Sequence, residues 1–378
     1  MSDLPASARQ LQSTVTSEGK LELKLADVPI KAPKPDEVVV QIHASPINPS
    51  DLGLLLGMAD VSTAVQGGSD DSPTVTADVP EGLLRHMKAR LDMAMPVGNE
   101  GGGVVVAAGE GDEAQALLGK TVGALGGAMY GEYRTLKYHQ CLAMNEGVAP
   151  RDAAACFVNP LTALGMVDTM RLEGYQGLIH TAAASNLGQM LNKICLNEGV
   201  PLVNVVRKAE QAELLAGIGA KHVVNSSDDD FRKNLIAAIA ENGAYLAFDA
   251  TGGGELADQI LASMEAAAIS TATEYSRYGS DQHKQVYIYG GLDRNPTVLK
   301  RSYGMSWGVG GWLLTPFLQR VGRERDAELR QKVADEIHTT FASHYGKEIS
   351  LAEALQLDNL SVYAQQATGL KYLINPSA

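Results

Sequence analysis

The sequence predicts an α/β protein in which a β-rich first part leads into a doubly wound parallel sheet. Three observations carry this. KLELKLADVPI and DEVVVQIHASPI alternate apolar and polar residues with the period of strands. From GLIHTA onward, short apolar runs alternate with helical patterns, the rhythm of βαβ units. The chain has 378 residues, long enough for two hydrophobic cores.

In order along the chain, residues 20–45 read as strands broken at the proline-rich KAPKPD. VSTAVQGGSDDSPTVTADVP is dense in Ser, Thr, Gly and Asp and reads as loop. PEGLLRHMKARLDMAMP has helical apolar spacing behind a proline, so a short helix is expected there. GGGVVVAAGEG, GKTVGAL and GEYRTLKYHQCLAM read as further strands. Composition turns helical at RDAAACFVNPLTALGMVDTMR, interrupted at Asn159-Pro160. Next, GLIHTA, PLVNVVR, HVVN, AYLAFDA and QVYIYGG are strands, separated by the helices NLGQMLNKICLNEG, AEQAELLAGIGA, DDFRKNLIAAIAENG and ELADQILASMEAAA. These strands are apolar and bounded by Gly, Pro or Asp, as strands buried on both faces should be. After a Trp- and Gly-containing stretch, RERDAELRQKVADEIHTTFASHYG reads as a charged helix and LKYLINP as a last strand.

The net charge of −13 argues against non-specific binding of nucleic acid or of an anionic membrane, both of which need a positive surface. No apolar run approaches the length of a membrane span and MSDLPASARQLQSTV has no signal-like apolar core, so a cytoplasmic protein is expected. Cys141, Cys156 and Cys195 are far apart with no C-x-x-C, and no two of the eight histidines have H-E-x-x-H spacing, so no local metal site is expected.

HTAAASNLGQM, residues 180–190, stands where a dinucleotide-binding βαβ unit carries its glycine-rich turn. Aligned on GxGxxG it has Ala183, Ser185 and Gly188, so only the glycine that permits close helix–strand packing is kept. Ala and Ser are small, and the helix N-terminus still offers N–H groups to phosphate. Ser185 and Asn186 add side-chain donors. After the second strand of the unit come Arg207 and Lys208, where an NAD-preferring protein carries Asp or Glu. Arg pairs well with a 2′-phosphate that a carboxylate would repel, so NADPH is the expected cofactor. A solvated basic pair opening a helix is the competing explanation.

These residues carry a resemblance. The chain resembles the zinc-independent medium-chain dehydrogenases/reductases, close to the NADPH:quinone oxidoreductases and 2-enoyl reductases. The likeness runs through EVVVQIHASPINPSDL, PVGNEGGGVVVAAGEG, GEYRTL, AAACFVNPLTAL, HTAAASNLGQ, AGIGAKHVVN, FDATGGGELADQIL, VYIYGGL and WGVGGWLLTPFL, in that order. It implies a Rossmann-type parallel sheet (residues 151–320) inserted in a β-rich, GroES-like catalytic domain (residues 1–150 and 321–378), with the active site between the domains. The zinc branch of the superfamily has Cys and His where this chain has Asn48 and Asn99, and the four-Cys lobe is missing, so the resemblance implies no metal.

Carried over residue by residue, the resemblance places Asn48 near the nicotinamide ribose or the substrate oxygen, and Asn159 and Thr162 beside the nicotinamide and the reactive oxygen, with Asn48 and Thr162 as the positioning candidates. It places Ala183, Ser185, Asn186, Leu187 and Gly188 at the pyrophosphate. Thr251, Gly252, Gly290 and Gly291 follow successive strand ends, where ligands of open parallel sheets bind. For Asn48, capping the Asn-Pro-Ser-Asp turn is the competing role, and for the glycines it is turn chemistry. Tyr303, Trp307, Trp312 and Leu313 are candidates for an apolar acceptor pocket, or equally for core or interface. The family's usual G-x-Y tyrosine is replaced by Gly57-Met58-Ala59, and two further phosphate positions hold Gln211 and Ser226. The expected activity is hydride transfer from NADPH to a small-molecule electron acceptor, a quinone or other α,β-unsaturated carbonyl. A 2-enoyl-thioester reductase and a non-catalytic NADPH binder are the alternatives. By resemblance, a homodimer joined through GMSWGVGGWLL is expected.

Overall fold

The structure, a computed structural model, describes residues 4–365 and 371–378. The chain forms two compact units, Met1–Val158 with Arg330–Ala378, and Asn159–Leu329. The boundaries fall at 158/159 and 329/330 rather than at 150/151 and 320/321. One reason is that the main chain of Phe157 and Val158 is tied by hydrogen bonds to Glu100 of the first unit.

The first unit starts with β1 (Ser7–Val15), β2 (Lys20–Pro29), β3 (Glu37–Pro46), α1 (Pro49–Leu55), β4 (Asp60–Ser69) and β5 (Ser72–Asp78). There follow α2 (Glu81–Leu84), β6 (Met95–Pro96), β7 (Glu100–Ala108), α3 (Asp112–Gln115), β8 (Thr121–Leu125), β9 (Tyr133–Lys137), β10 (Cys141–Ala143) and α4 (Pro150–Ala153). One sheet has the order β4-β5-β2-β1-β6. β1 lies in a segment for which the sequence suggested no strand. β4 and β5 form a hairpin where a loop was expected. The composition of 61–80 is polar, but Val75 and Ala77 alternate with exposed residues, sit opposite Leu23 and Leu21, and are buried in one core. Burial on a neighbouring strand overrode a weak local preference.

The second unit contains α5 (Val158–Leu172), β11 (Leu178–His180), α6 (Asn186–Glu198), β12 (Leu202–Val206), α7 (Ala209–Gly217), β13 (His222–Asn225), α8 (Phe231–Asn242) and β14 (Leu246–Asp249). It continues with β15 (Gly252–Gly254), α9 (Leu256–Ser270), β16 (Lys284–Ile288), β17 (Asp293–Thr297), β18 (Trp307–Gly311) and α10 (Leu314–Asp335), a span of two helices kinked at the left-handed Gly322 that ends in the first unit. The main sheet has the order β13-β12-β11-β14-β16-β18, every pairing parallel. Ile179, Val203, Ala247 and Val286 face α8 and α9, while Phe248 packs against Tyr287 and Trp312 on the opposite face. Helices on both faces explain why the strand sequences are almost wholly apolar.

The remaining stretch, β19 (Lys347–Ser350), α11 (Leu357–Tyr363) and β20 (Tyr372–Asn375), returns to the first unit and completes its second sheet. That sheet has the order β10-β8-β7-β3-β20-β19, with β9 also on β3. Among the described residues no helix is long and apolar enough to cross a membrane.

Candidate functional site

In the second unit the residues predicted for the phosphate turn and the glycine strand ends lie at the C-terminal ends of the parallel strands, where open sheets bind ligands. Two buried polar residues tie the ends of β11 and β14 together. Thr181 Oγ1 donates to Asp249 Oδ1 (2.7 Å) and accepts the Ala250 N–H (2.8 Å). Asp249 also accepts the N–H groups of Thr251 and Gly252. Neither residue was singled out from sequence, although FDATGG was part of the resemblance.

The loop then turns through Ala182, whose φ of 50° is unusual for a residue with a side chain. Ser185 is the N-cap of α6, and its side chain accepts the Gly188 N–H at 3.2 Å. Ala183 and Leu187 are buried, so their side chains are turned into the fold, and the Ala183 N–H is held by the Val205 carbonyl. Gly188 has no room for a Cβ, which would lie 2.1 Å from the Ala183 carbonyl oxygen. A similar close approach joins the next strand ends, since a Cβ on Gly252 would lie 2.6 Å from the Gly290 oxygen, and one on Gly290 would lie 2.6 Å from the Ala250 oxygen. Gly291 has open space around it.

Arg207 and Lys208 are exposed just beyond β12. Gln211 Oε1 accepts both of their backbone N–H groups, and the Arg207 carbonyl accepts Ser227 Oγ. The main chain is thereby held while neither cation enters an ion pair among the described residues. Gln211, noted as a departure at a phosphate position, acts here as a helix-capping side chain. Asn159 and Thr162 stand in the first turn and a half of α5, the former half-buried and the latter buried.

These residues fit a phosphorylated dinucleotide. Gly188, Gly252 and Gly290 sit where only a bare backbone fits, a helix N-terminus faces the turn, and two exposed cations stand past the second strand.

A buried pair that the sequence did not point to lies beside this loop. His180, the last residue of β11, has Nε2 2.7 Å from the Tyr289 hydroxyl, and its Nδ1 has no hydrogen-bond partner among the described residues. Burial pushes its pKa down to about 3 from 6.5. The unfolded chain therefore binds a proton below pH 6.5 that the folded chain refuses, so this contribution to stability is complete above pH 6.5 and lost as the pH falls toward 3. The loss runs at about 1.4 kcal/mol per pH unit. Denaturant melts at pH 6.5, 5.5 and 4.5 should show His180→Gln with a shallower acid limb than the wild type, whatever its stability at neutral pH.

The four residues suggested for an acceptor pocket are not brought together. Tyr303 is fully buried and packs edge-on against Trp307, both against the α8–α9 core. Trp312 lies on the other face of the sheet, against Phe248 and Phe317, and donates to Thr169 Oγ1 at 3.0 Å. Leu313 is exposed. Tyr303 is thus a core residue, and Trp307 and Trp312, an odd number of residues apart along β18 and its end, point to opposite faces of the sheet.

In the first unit, Asn48 precedes α1 at the N-cap, but its side chain does not cap the helix. Instead Asn48 Nδ2 donates to Glu100 Oε1 at 2.8 Å. Glu100 is fully buried, and its Oε2 accepts the N–H groups of Phe157 (3.0 Å) and Val158 (2.9 Å). Burial raises its pKa, opposed chiefly by the Lys371 ammonium and then by those hydrogen bonds. Asp51, also buried, accepts the N–H groups of Asn48 and Asn99, and burial is the main cause that lifts its pKa to about 7. Sequence reasoning passed over Glu100 and Asp51, although both lie inside quoted motifs. Asn99 Nδ2 donates to Ser50 Oγ. Among the described residues no cluster of three or more His, Cys, Asp or Glu side chains is placed to hold a metal. Tyr130 is fully buried with its hydroxyl on the Pro46 carbonyl, in keeping with a packing role.

No protein-family model matches the chain. It is 26% identical over 286 residues to a mitochondrial enoyl-[acyl-carrier-protein] reductase of Bos taurus, covering 73% of this chain. That match spans 64% of the bovine protein, under two thirds of its length. Among solved structures, a Mesorhizobium loti protein assigned as an NADPH:quinone reductase superposes with a TM-score of 0.73 at 24% identity, covering 99% of this chain and all of that one. Escherichia coli quinone oxidoreductase, solved with NADPH, gives a TM-score of 0.69 at 17% identity over 98% of this chain and 100% of its own. These likenesses establish the fold.

Proposed function

We propose that this chain, which has the fold of the medium-chain dehydrogenases/reductases, is an NADPH-dependent oxidoreductase acting without zinc on a quinone or other α,β-unsaturated carbonyl. The observation that carries the reading is the strand-end site of the second unit, with its close-packed Gly188 turn and the exposed cations Arg207 and Lys208 past β12. The backbone around Ala183–Gly188 would hold the pyrophosphate, and Arg207 with Lys208 the 2′-phosphate. Thr251, Gly252, Gly290 and Gly291 would bound the remainder of the site. When bound, the cofactor supplies hydride; the protein orients the reactants and excludes water.

A quinone suits the chain because its reduced oxygen can take a proton from water, and the segment Gly57-Met58-Ala59 offers no phenol. The left-handed φ at both Gly57 and Met58 makes that segment a tight turn. The similarity to the bovine enoyl reductase favours a second reading, reduction of a 2-enoyl thioester. Nicotinamide fluorescence titrations should give tight NADPH and weak NADH binding, and equal affinities would sink the NADPH assignment. NADPH oxidation with simple quinones against crotonyl thioesters then separates the two substrate readings. Binding without turnover of either would identify a non-catalytic binder. Elemental analysis should find no stoichiometric zinc.

A homodimer is part of the same reading. β18 closes one end of the sheet, and Met305 and Leu313 on either side of it are 77% and 66% exposed. An open edge flanked by apolar side chains favours pairing with a second copy. Light scattering should give twice the chain mass at micromolar concentration; a mass of one chain would refute it.

A further inference from the structure

We propose that Glu100 is a positioning residue that fixes which end of the Asn48 amide meets a ligand, making Asn48 a hydrogen-bond acceptor for a ligand hydroxyl. The ligand half rests on the oxidoreductase reading above; the orientation of Asn48 does not.

Asn48 is 2% exposed, and its main chain is committed to α1, with its N–H on Asp51 Oδ2 and its carbonyl on the Asp51 N–H. Only the side-chain amide is left to act. Its nitrogen and oxygen differ little in shape, so their order must be imposed from outside.

Glu100 imposes it. Oε2 receives two backbone N–H groups, which cannot become acceptors, so that oxygen is fixed as an acceptor. The other carboxylate oxygen, Oε1, also only accepts, and what faces it must donate. Asn48 therefore turns Nδ2 inward at 2.8 Å and leaves Oδ1 pointing away, buried and without a hydrogen-bond partner among the described residues. The buried ammonium of Lys371 favours the charged form of Glu100 and so works in the same direction. A buried carbonyl oxygen held without a partner is ready for a donor, and a hydroxyl is the donor that both a nucleotide ribose and a reduced quinone carry.

One-atom substitutions test this. In Glu100→Gln, the side-chain oxygen must stay on the two backbone N–H groups, since an NH2 there would face two donors. Its NH2 then meets Asn48, which can accommodate it only by turning over and presenting Nδ2 outward. Asn48→Asp alone sets two carboxylates against each other. In the double variant, the introduced carboxamide NH2 can donate to one oxygen of the introduced carboxylate, and the second oxygen restores an outward acceptor.

Melting temperatures of the four ligand-free proteins form the first arm. Asn48→Asp should lower the melting temperature by several degrees, and adding Glu100→Gln should recover most of that loss. NADPH affinity by fluorescence, and the product-inhibition constant of 1,4-hydroquinone, which carries the hydroxyl, form the second arm. Glu100→Gln should weaken one of these by about tenfold, with the double variant back to within about threefold of wild type. A loss in NADPH affinity identifies a ribose hydroxyl, and a loss confined to hydroquinone inhibition identifies the reduced acceptor. Additive melting shifts, wild-type constants in Glu100→Gln, or a double variant no better than Glu100→Gln would each overturn the proposal. If the wild type bound no NADPH, the functional reading and the ligand role would fall together, while the melting cycle would still decide whether Glu100 orients Asn48.

Discussion

Replacing Arg207 and Lys208 together with alanine is expected to weaken NADPH binding by about two orders of magnitude and leave NADH binding within about twofold. The two side chains are exposed beyond β12, and their own backbone N–H groups are held by Gln211, so the substitutions remove charge without loosening the turn. Hydrogen bonds from a cation to a phosphate contribute about 1.5–3 kcal/mol each, and about 1.4 kcal/mol is a factor of ten in affinity. NADH lacks the 2′-phosphate and has nothing to lose. Parallel titrations of both nucleotides check the expectation; an equal loss for both would mean that the pair supports the turn rather than reading the phosphate.

Gly188→Ala is expected to reduce NADPH affinity at least about tenfold and to lower stability by about 1–3 kcal/mol. The added Cβ would lie 2.1 Å from the Ala183 oxygen and 2.5 Å from its carbonyl carbon. Both are backbone atoms, so no side-chain rotation relieves the clash and the turn itself must move. Gly291→Ala is the matched control: its Cβ would meet nothing within 4 Å, and its melting temperature should stay near that of the wild type. Wild-type NADPH affinity in Gly188→Ala would show that the turn does not form the phosphate site.

Of the three loop positions that a GxGxxG alignment singles out, Gly188 was legible because the packing role of the third glycine depends only on a strand and a helix meeting. The left-handed residue was not, since it is Ala182, one place before the aligned position and of a type that rarely adopts such a φ. The buried partners Thr181 and Asp249 were also missed. They are 68 residues apart and meet only because β11 and β14 are neighbours in the sheet.

Local sequence by itself determined the alternating β-structure of residues 20–45, the βαβ rhythm of the second unit, the small-residue turn at 180–190 and the basic pair after β12. Each depends on periodicity or on a residue type at a strand end, which neighbouring residues encode. Tertiary structure alone decided the hairpin at 60–78, the burial of Tyr303 away from Trp312, and the turning of Asn48 toward Glu100 instead of its own helix. The partners in these cases come together only on folding, and the free energy of burying an apolar or polar side chain depends on what then surrounds it.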